Sequence, residues 1–499
     1  MNKLILKEKI GLLLKQYGVF FIFLFLNLLF YGSFVIRHYA PDTYFTEATG
    51  WKSTALIYFA SGRWLMSLLS LFCGFFHINV IYEQFLSWII AIISISLSSY
   101  VVYNLLKNKI VLEKNYIKKG WLILISFMLI SNVFLLEYFI FAEYTGIMCL
   151  GVFLNVLGAK YIIKFIEQKN FKFYVLGIVF AILGINGHQG NFAVFLLVCV
   201  LCLPNMFDTV KNFIQKNFII GSAYLIPSLV NMWEVHIGNS SRFSGSNINF
   251  AASFIKSTEG IRVLLKTTAN FMPYYVYVIS IVILGGYFGF HIFQKKKWKM
   301  LLNSLYWLVI MFLGIYAPLM MTKINQINVV PRTVYILGSI IPIMLLGLVY
   351  MDVTPKNSFF LPMFVLCIFA VQYWGIARVS TSHYQSNAVD RYEAQYIGNF
   401  LREYEREHGV KVTKLALYWD DNVNGWATGV LAGYGAVNER IMTNDWAAPL
   451  AIKCLDGYDI QMTEKSEEVY KLYFEGKDWT LMNKEQFIVI GDTLHLCAY

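Results

Sequence analysis

Residues 17–42 read YGVFFIFLFLNLLFYGSFVIRHYAPD, and this stretch decides the fold class. No charge interrupts it from Val19 to Ile36. At helical rise such a run covers about 27 Å, close to the hydrocarbon thickness of a bilayer. Arg37 and His38 then break it, and an acid, Asp42, follows directly. The reading is a membrane helix that delivers a carboxylate to the membrane surface. Lys3, Lys7, Lys9 and Lys15 precede the run. The run is longer than the core of a signal peptide and no small-residue cleavage site follows, so it reads as a retained first helix.

Working outward, similar runs recur. With the first, eleven spans are expected, near 18–36, 83–106, 120–138, 143–163, 173–187, 190–204, 217–235, 271–293, 300–320, 334–351 and 359–377. The fifth and sixth are short and joined only by Gly187-His188-Gln189. Short helices that meet at a polar tip line a cavity rather than face lipid. The 499 residues are 58% hydrophobic and 14% charged, with a mean hydropathy of +0.55. Soluble chains carry about 25% charged residues. A soluble enzyme, a disordered chain and a disulfide scaffold are thereby excluded. Of the seven cysteines, five lie in apolar runs, and Cys199-x-x-Cys202 falls within a span, where cysteine is a small core residue. Cys454 and Cys497 lie in the tail, where pairing is open but not required.

The net charge of +11 hides a division. Residues 1–377 hold 29 basic and 12 acidic side chains, whereas residues 378–499 hold 12 and 18. A basic membrane part therefore precedes a mildly acidic tail. The basic balance is a topology signal and implies no nucleic-acid partner. With the N-terminus inside, the inner loops collect 20 basic residues and the outer ones nine. A multi-pass protein of the cell membrane is expected, with a cytoplasmic N-terminus and the tail outside. All 20 inner basic residues are Lys, whereas Arg37, Arg63, Arg242, Arg262 and Arg332 all fall on the expected outer side. Arginine grips phosphate and carboxylate with two parallel N–H donors, and lysine acts as a point charge. An anion site on the outer face is the inference.

Two domains are expected, 1–377 in the membrane and 378–499 outside it. The first outer loop, 37–82, contains an apolar segment from Gly62 to His77 that suits a helix lying in the interface. The tail opens with a helix, Ala388 to His408, ended by Gly409. Strand-like runs follow at Val412–Tyr418, Phe487–Ile490 and Leu494–Tyr499, the last two flanking the turn Gly491-Asp492. The tail is therefore a small α+β domain.

Each residue that could carry chemistry has a plain structural alternative. Asp42 could deprotonate an acceptor hydroxyl, or cap a short helix. Glu137 and Glu143 flank the second outer tip; acids at that depth are costly and functional, or else serve a helix dipole. His188 and Gln189 can hydrogen-bond sugar hydroxyls, or solvate a two-helix turn. Arg332, after Pro331, can bind an anion or anchor a helix end. Segment 236–270 could form a substrate loop, and Asn239-Ser240-Ser241 matches a glycosylation sequon. Asp420-Asp421, beside Asn422, Asn424 and Gly425, reads as a turn. No cluster has the spacing of a structural metal site, and there is no phosphate-binding glycine loop.

Taken together, Tyr39-Ala40-Pro41-Asp42, Trp51, Gly62-Arg63-Trp64-Leu65, the tip from Glu137 to Tyr144, His188-Gln189 and the closing residues 491–499 resemble the GtrII-type glucosyltransferases. The chain departs from that pattern with Pro41 where many relatives have a second Asp, and with His188 where an aromatic hydroxyl is common. The resemblance implies a GT-C-like polytopic α-helical membrane protein of about eleven transmembrane helices with a small C-terminal α+β extracytoplasmic domain. It implies a glycosyltransferase that moves a hexose, glucosyl above all, from a polyprenyl-phosphate donor to a cell-surface glycan or lipid-linked oligosaccharide. Asp42 would be the catalytic base. Arg63 and Arg332 would hold phosphate, and Glu143, His188 and Gln189 would hold sugar or a divalent cation, the one cofactor left open. The rival readings are a flippase or transporter of lipid-linked sugars and a polysaccharide polymerase. The composition suggests a low-GC bacterium.

Overall fold

The computed structural model describes residues 3–110, 116–203, 206–239, 249–267, 274–320, 322–351, 360–419, 440–477, 479 and 482–498. In chain order the helices are α1 Lys3–Tyr31, α2 Pro41–Thr49, α3 Trp51–Ala60, α4 Trp64–Phe75, α5 Val80–Lys107, α6 Tyr116–Ile130, α7 Leu136–Ile140, α8 Thr145–Gln168 and α9 Phe171–Gly187. They continue with α10 Phe192–Leu201, α11 Val210–Ile237, α12 Phe250–Thr267, α13 Tyr274–Lys295, α14 Trp298–Met320, α15 Ile340–Tyr350 and α16 Phe360–His408. The tail adds α17 Ala448–Asp456, α18 Glu467–Tyr473 and strands β1 Lys414–Trp419, β2 Gln461–Met462, β3 Phe487–Ile490 and β4 Thr493–Ala498.

Among the described residues, eight helical segments are long and apolar enough to cross a membrane: Tyr17–Val35, Val80–Lys107, Lys118–Ile140, Thr145–Gln168, Val210–Ile237, Tyr275–Lys295, Trp298–Met320 and Leu361–His408. They coincide with eight of the eleven expected runs. The other three, near 173–187, 190–204 and 334–351, are the short apolar helices Phe171–Gly187, Gln189–Leu201 and Tyr335–Tyr350. Every side chain of α10 is buried, so its apolar surface is covered by protein on all sides. Its hydropathy is that of a helix buried within protein. The segment expected at the interface forms α4, which buries Met66, Ser67, Ser70 and Cys73 and exposes Leu68, Leu71, Phe72 and Phe75.

Small and polar residues set the helix contacts, as expected where lipid competes equally for apolar surface. Helices α8 and α9 approach along glycines. A Cβ added at Gly158 would stand 3.0 Å from the Gly177 carbonyl, and one at Gly151 would stand 2.9 Å from that of Gly184. Asn27 of α1 donates to Ser96 Oγ of α5 (3.0 Å) and accepts from Ser131 (2.6 Å), tying three segments through buried polar groups.

The helix expected at Ala388–His408 is the end of α16, which runs without a break from Phe360. The strands lie where expected, within a residue or two. The sheet order is β2-β1-β4-β3, with β1 parallel to β2 and β4, and β3 antiparallel to β4. Gly491, at φ +62°, turns the β3–β4 hairpin. Cys454 and Cys497 are both free thiols, Cys454 on α17 and Cys497 inside the sheet. Tyr39 and Tyr44, from the first loop, belong to the apolar core of this C-terminal part. Asn387 of α16 holds Tyr39 at both backbone groups, accepting from its N–H (2.7 Å) and donating to its carbonyl (3.0 Å).

Candidate active site

The acid after the first helix sits in the first turn of α2. Pro41 opens that helix with its φ already set, and Thr43 Oγ1 accepts from the Ala40 N–H (3.1 Å). Asp42 follows Pro41 in the helix, where the unpaired N–H groups favour a negative charge. It is half-buried. One residue further on, Thr43 donates its hydroxyl to Glu143 Oε2 (2.8 Å). Glu143 lies in the turn between α7 and α8 and is fully buried, and its Oε1 has no hydrogen-bond partner. Burial pushes its carboxyl up to about 7, with the Asp42 charge adding to the rise and the Thr43 hydroxyl opposing it. Glu83, buried at the start of α5, is also within electrostatic reach of Glu143.

The second half of the site is the turn between α3 and α4. Gly62 adopts φ +68°, and a Cβ there would run into Val235. Both backbone neighbours of Arg63 are held: the Gly62 carbonyl accepts from Asn231 Nδ2 (2.8 Å), and the Trp64 N–H donates to Asn186 Oδ1 (3.1 Å). Those two amides also donate to one buried carboxylate, Glu234, each at 3.0 Å. Arg63 itself donates Nε–H to Gln189 Oε1 (3.0 Å), and Gln189 Nε2 donates back to the Ser61 carbonyl (2.9 Å). The guanidinium is therefore oriented by side chain and backbone together.

Tyr58 of α3 joins the halves. Its ring meets Tyr144 edge-on at 4.6 Å. Burial raises its hydroxyl far above the usual range, and the charges of Asp42, Glu143 and Arg63 all act on it. Asp42, Glu143 and Arg63, residues from three separate stretches, are thus within electrostatic reach of one tyrosine.

His188 and Arg332 lie in an adjoining layer. His188 is buried, and its Nδ1 accepts from the Gly190 N–H (3.1 Å), which assigns the ring proton to Nε2. Arg332 is ion-paired with buried Glu137, which takes both its backbone N–H (2.7 Å) and its guanidinium. Its guanidinium also covers the Phe141 ring at 4.7 Å. This cation is therefore matched by an acid within the protein. Tyr138 binds this layer together, donating to Asn191 Oδ1 and to the Arg332 carbonyl. Arg37 stacks over Tyr39 at 4.8 Å, and Arg262 is exposed on α12. Arg242, two residues of the sequon and Asp420-Asp421 lie outside the described residues. Among the described residues no group of three His, Cys, Asp or Glu side chains is arranged to hold a metal ion.

A family profile, glucosyl transferase GtrII, matches residues 34–343. The chain belongs to the GtrII glucosyl transferase family. No curated protein and no solved structure matches it. The family assigns a glycosyltransferase, and the matched span contains every residue of the site just described. Sequence reasoning did not single out Thr43, Tyr58, Asn186, Asn231 or Glu234. Only Glu234 carried a signal, as an acid within an apolar run.

Proposed function

We propose that this GtrII-family protein transfers a hexose, glucosyl by family, from a polyprenyl-phosphate donor to a glycan hydroxyl at the outer membrane surface. The observation that carries the reading is that an acid, Asp42, and a guanidinium oriented by Gln189, Arg63, both lie within electrostatic reach of buried Tyr58. In the reaction the acceptor O–H gives its proton to Asp42 as the acceptor oxygen bonds to the sugar's C1. The bond from C1 to the phosphate oxygen breaks, and its electron pair leaves on the phosphate, which Arg63 stabilises. Gln189 fixes the arginine, and Glu143 sets the position of α2 through Thr43. A lipid-linked donor calls for a site at membrane depth, and the helix ends around Asp42 supply one. A cleft of about 360 Å³ lies between the end of α2 and α17, lined by Thr49, Trp446, Lys453 and Gln461. An exposed tryptophan beside polar groups suits a sugar ring, so the acceptor is placed there.

The test is Asp42→Asn. Transfer of hexose from a polyprenyl-phosphate donor to envelope glycan is expected to fall 100- to 10,000-fold, with the protein present at its normal level in the membrane. A flippase would tolerate the substitution. Retained transfer would remove Asp42 from the chemistry, and a deletion strain with unchanged glycan composition would remove the reaction itself.

A further inference from the structure

The end of the bundle away from Arg63 holds a second site. Helix α8 begins beside Glu143 and ends at Gln168, so its far end is about 36 Å along the axis. There a cavity of about 960 Å³ opens among the ends of α5, α8, α10, α11, α13, α14 and α15. Five lysines line it, Lys109, Lys216, Lys296, Lys297 and Lys299, against two carboxylates, Glu167 and Asp208. Glu167 is committed to Lys109. The excess positive charge is built in by one turn. α13 closes with Lys296 in left-handed backbone (φ +52°), and the Lys297 N–H reaches back to the Ile292 carbonyl (3.1 Å). That reversal places Lys296 to Met300 consecutively in the cavity wall. Ile166, Leu203, Phe207 and Tyr350 add apolar surface to the same lining, where Lys297 Nζ also donates to the Met351 carbonyl (3.4 Å).

A chamber lined by cations together with aliphatic and aromatic side chains matches an amphiphile with a phosphate. A soluble phosphate would use only the lysines. Its place at the ends of apolar helices is where a lipid head group lies, and basic pockets between helices hold such groups. We propose that this cavity binds the head group of an anionic phospholipid from the bilayer, independently of the sugar-transfer site.

The full chain, purified in neutral detergent, would be titrated with short-chain phosphatidylglycerol, with phosphatidylcholine and with inorganic diphosphate, reading bound lipid by native mass spectrometry and unfolding temperature in parallel. Phosphatidylglycerol is expected to bind and raise the unfolding temperature, with phosphatidylcholine at least tenfold weaker. The triple variant Lys216→Gln, Lys297→Gln, Lys299→Gln is expected to bind phosphatidylglycerol about a hundredfold more weakly. Lys411→Gln with Lys484→Gln, on the C-terminal part, should change nothing. If the triple variant does not fold, the exposed single variants Lys296→Gln and Lys299→Gln decide, each with about a fivefold loss expected. Unchanged lipid binding in the variants would overturn the site. Equal stabilisation by diphosphate would overturn the lipid as its source.

Discussion

Glu143→Gln tests the core of the site without reference to any substrate. In the unfolded chain this carboxyl ionises near 4.5, whereas burial holds it protonated in the folded protein up to about 7. Between those values the folded state binds more protons than the unfolded one, so stability falls as pH rises. At 1.36 kcal/mol per pH unit, the loss from 4.5 to about 7 amounts to about 3 kcal/mol. The loss is complete above the folded value and absent below the unfolded one. Glutamine keeps the shape and accepts from Thr43 but does not titrate. The assay is thermal unfolding in detergent at constant ionic strength from pH 5 to 8. Wild type should lose a few degrees relative to Glu143→Gln across that window, with the variant's own curve flatter. Asp42→Asn removes one charge that raises the Glu143 carboxyl, so the wild-type decline should move to lower pH in that background. A constant difference between wild type and Glu143→Gln at every pH would refute the buried, proton-holding carboxyl. An unmoved decline in Asp42→Asn would refute the proximity of the two acids.

Three further outcomes follow from the same geometry. Arg63→Lys keeps the charge but loses the Nε donor to Gln189 and the planar fork, so donor-dependent kcat/KM should fall about 10- to 100-fold in a membrane transfer assay, with the acceptor KM unmoved. Gly62→Ala puts a Cβ on left-handed backbone and into Val235, which should cost about 2–4 kcal/mol and lower the unfolding temperature measurably. Glu137→Gln strands the partly buried Arg332 without its acid and should destabilise by about 3–5 kcal/mol, seen as poor recovery of folded protein from membranes.

The helices were legible because a bilayer demands about 20 apolar residues for each crossing, and hydropathy counts them directly. At Phe192–Leu201 it does not separate a crossing from a core helix, since a helix buried by protein and one buried by lipid have the same composition. In the tail, local signals marked β3, β4 and their hairpin. The parallel pairing of Lys414–Trp419 with Thr493–Ala498 joins segments far apart in sequence and left no local trace. Asp42, Arg63 and Glu143 stood out as charges at the edges of apolar runs. Arg332 stood out equally, and its neutralisation by Glu137 depends on a contact across 195 positions that spacing cannot reveal. Thr43 and Tyr58 are ordinary helical residues until the fold brings them beside buried charges.

The placement of Asp42 then follows from two unrelated packings of one short helix. On one side, Thr43 ties α2 to Glu143 in the membrane bundle. On the other, Tyr39 and Tyr44 stack at 4.8 Å within the core formed by α16, α17 and the sheet. A nine-residue helix is too short to persist alone in water. Its geometry is therefore borrowed from both bodies at once. The long α16 makes this possible, because it is unbroken from its apolar beginning at Phe360 to His408 and fixes the C-terminal core relative to the bundle. Asn387, midway along it, is the residue that grips the backbone of Tyr39, three positions before the acid. The C-terminal part is thus joined, through Tyr39 and Tyr44, to the helix that carries Asp42.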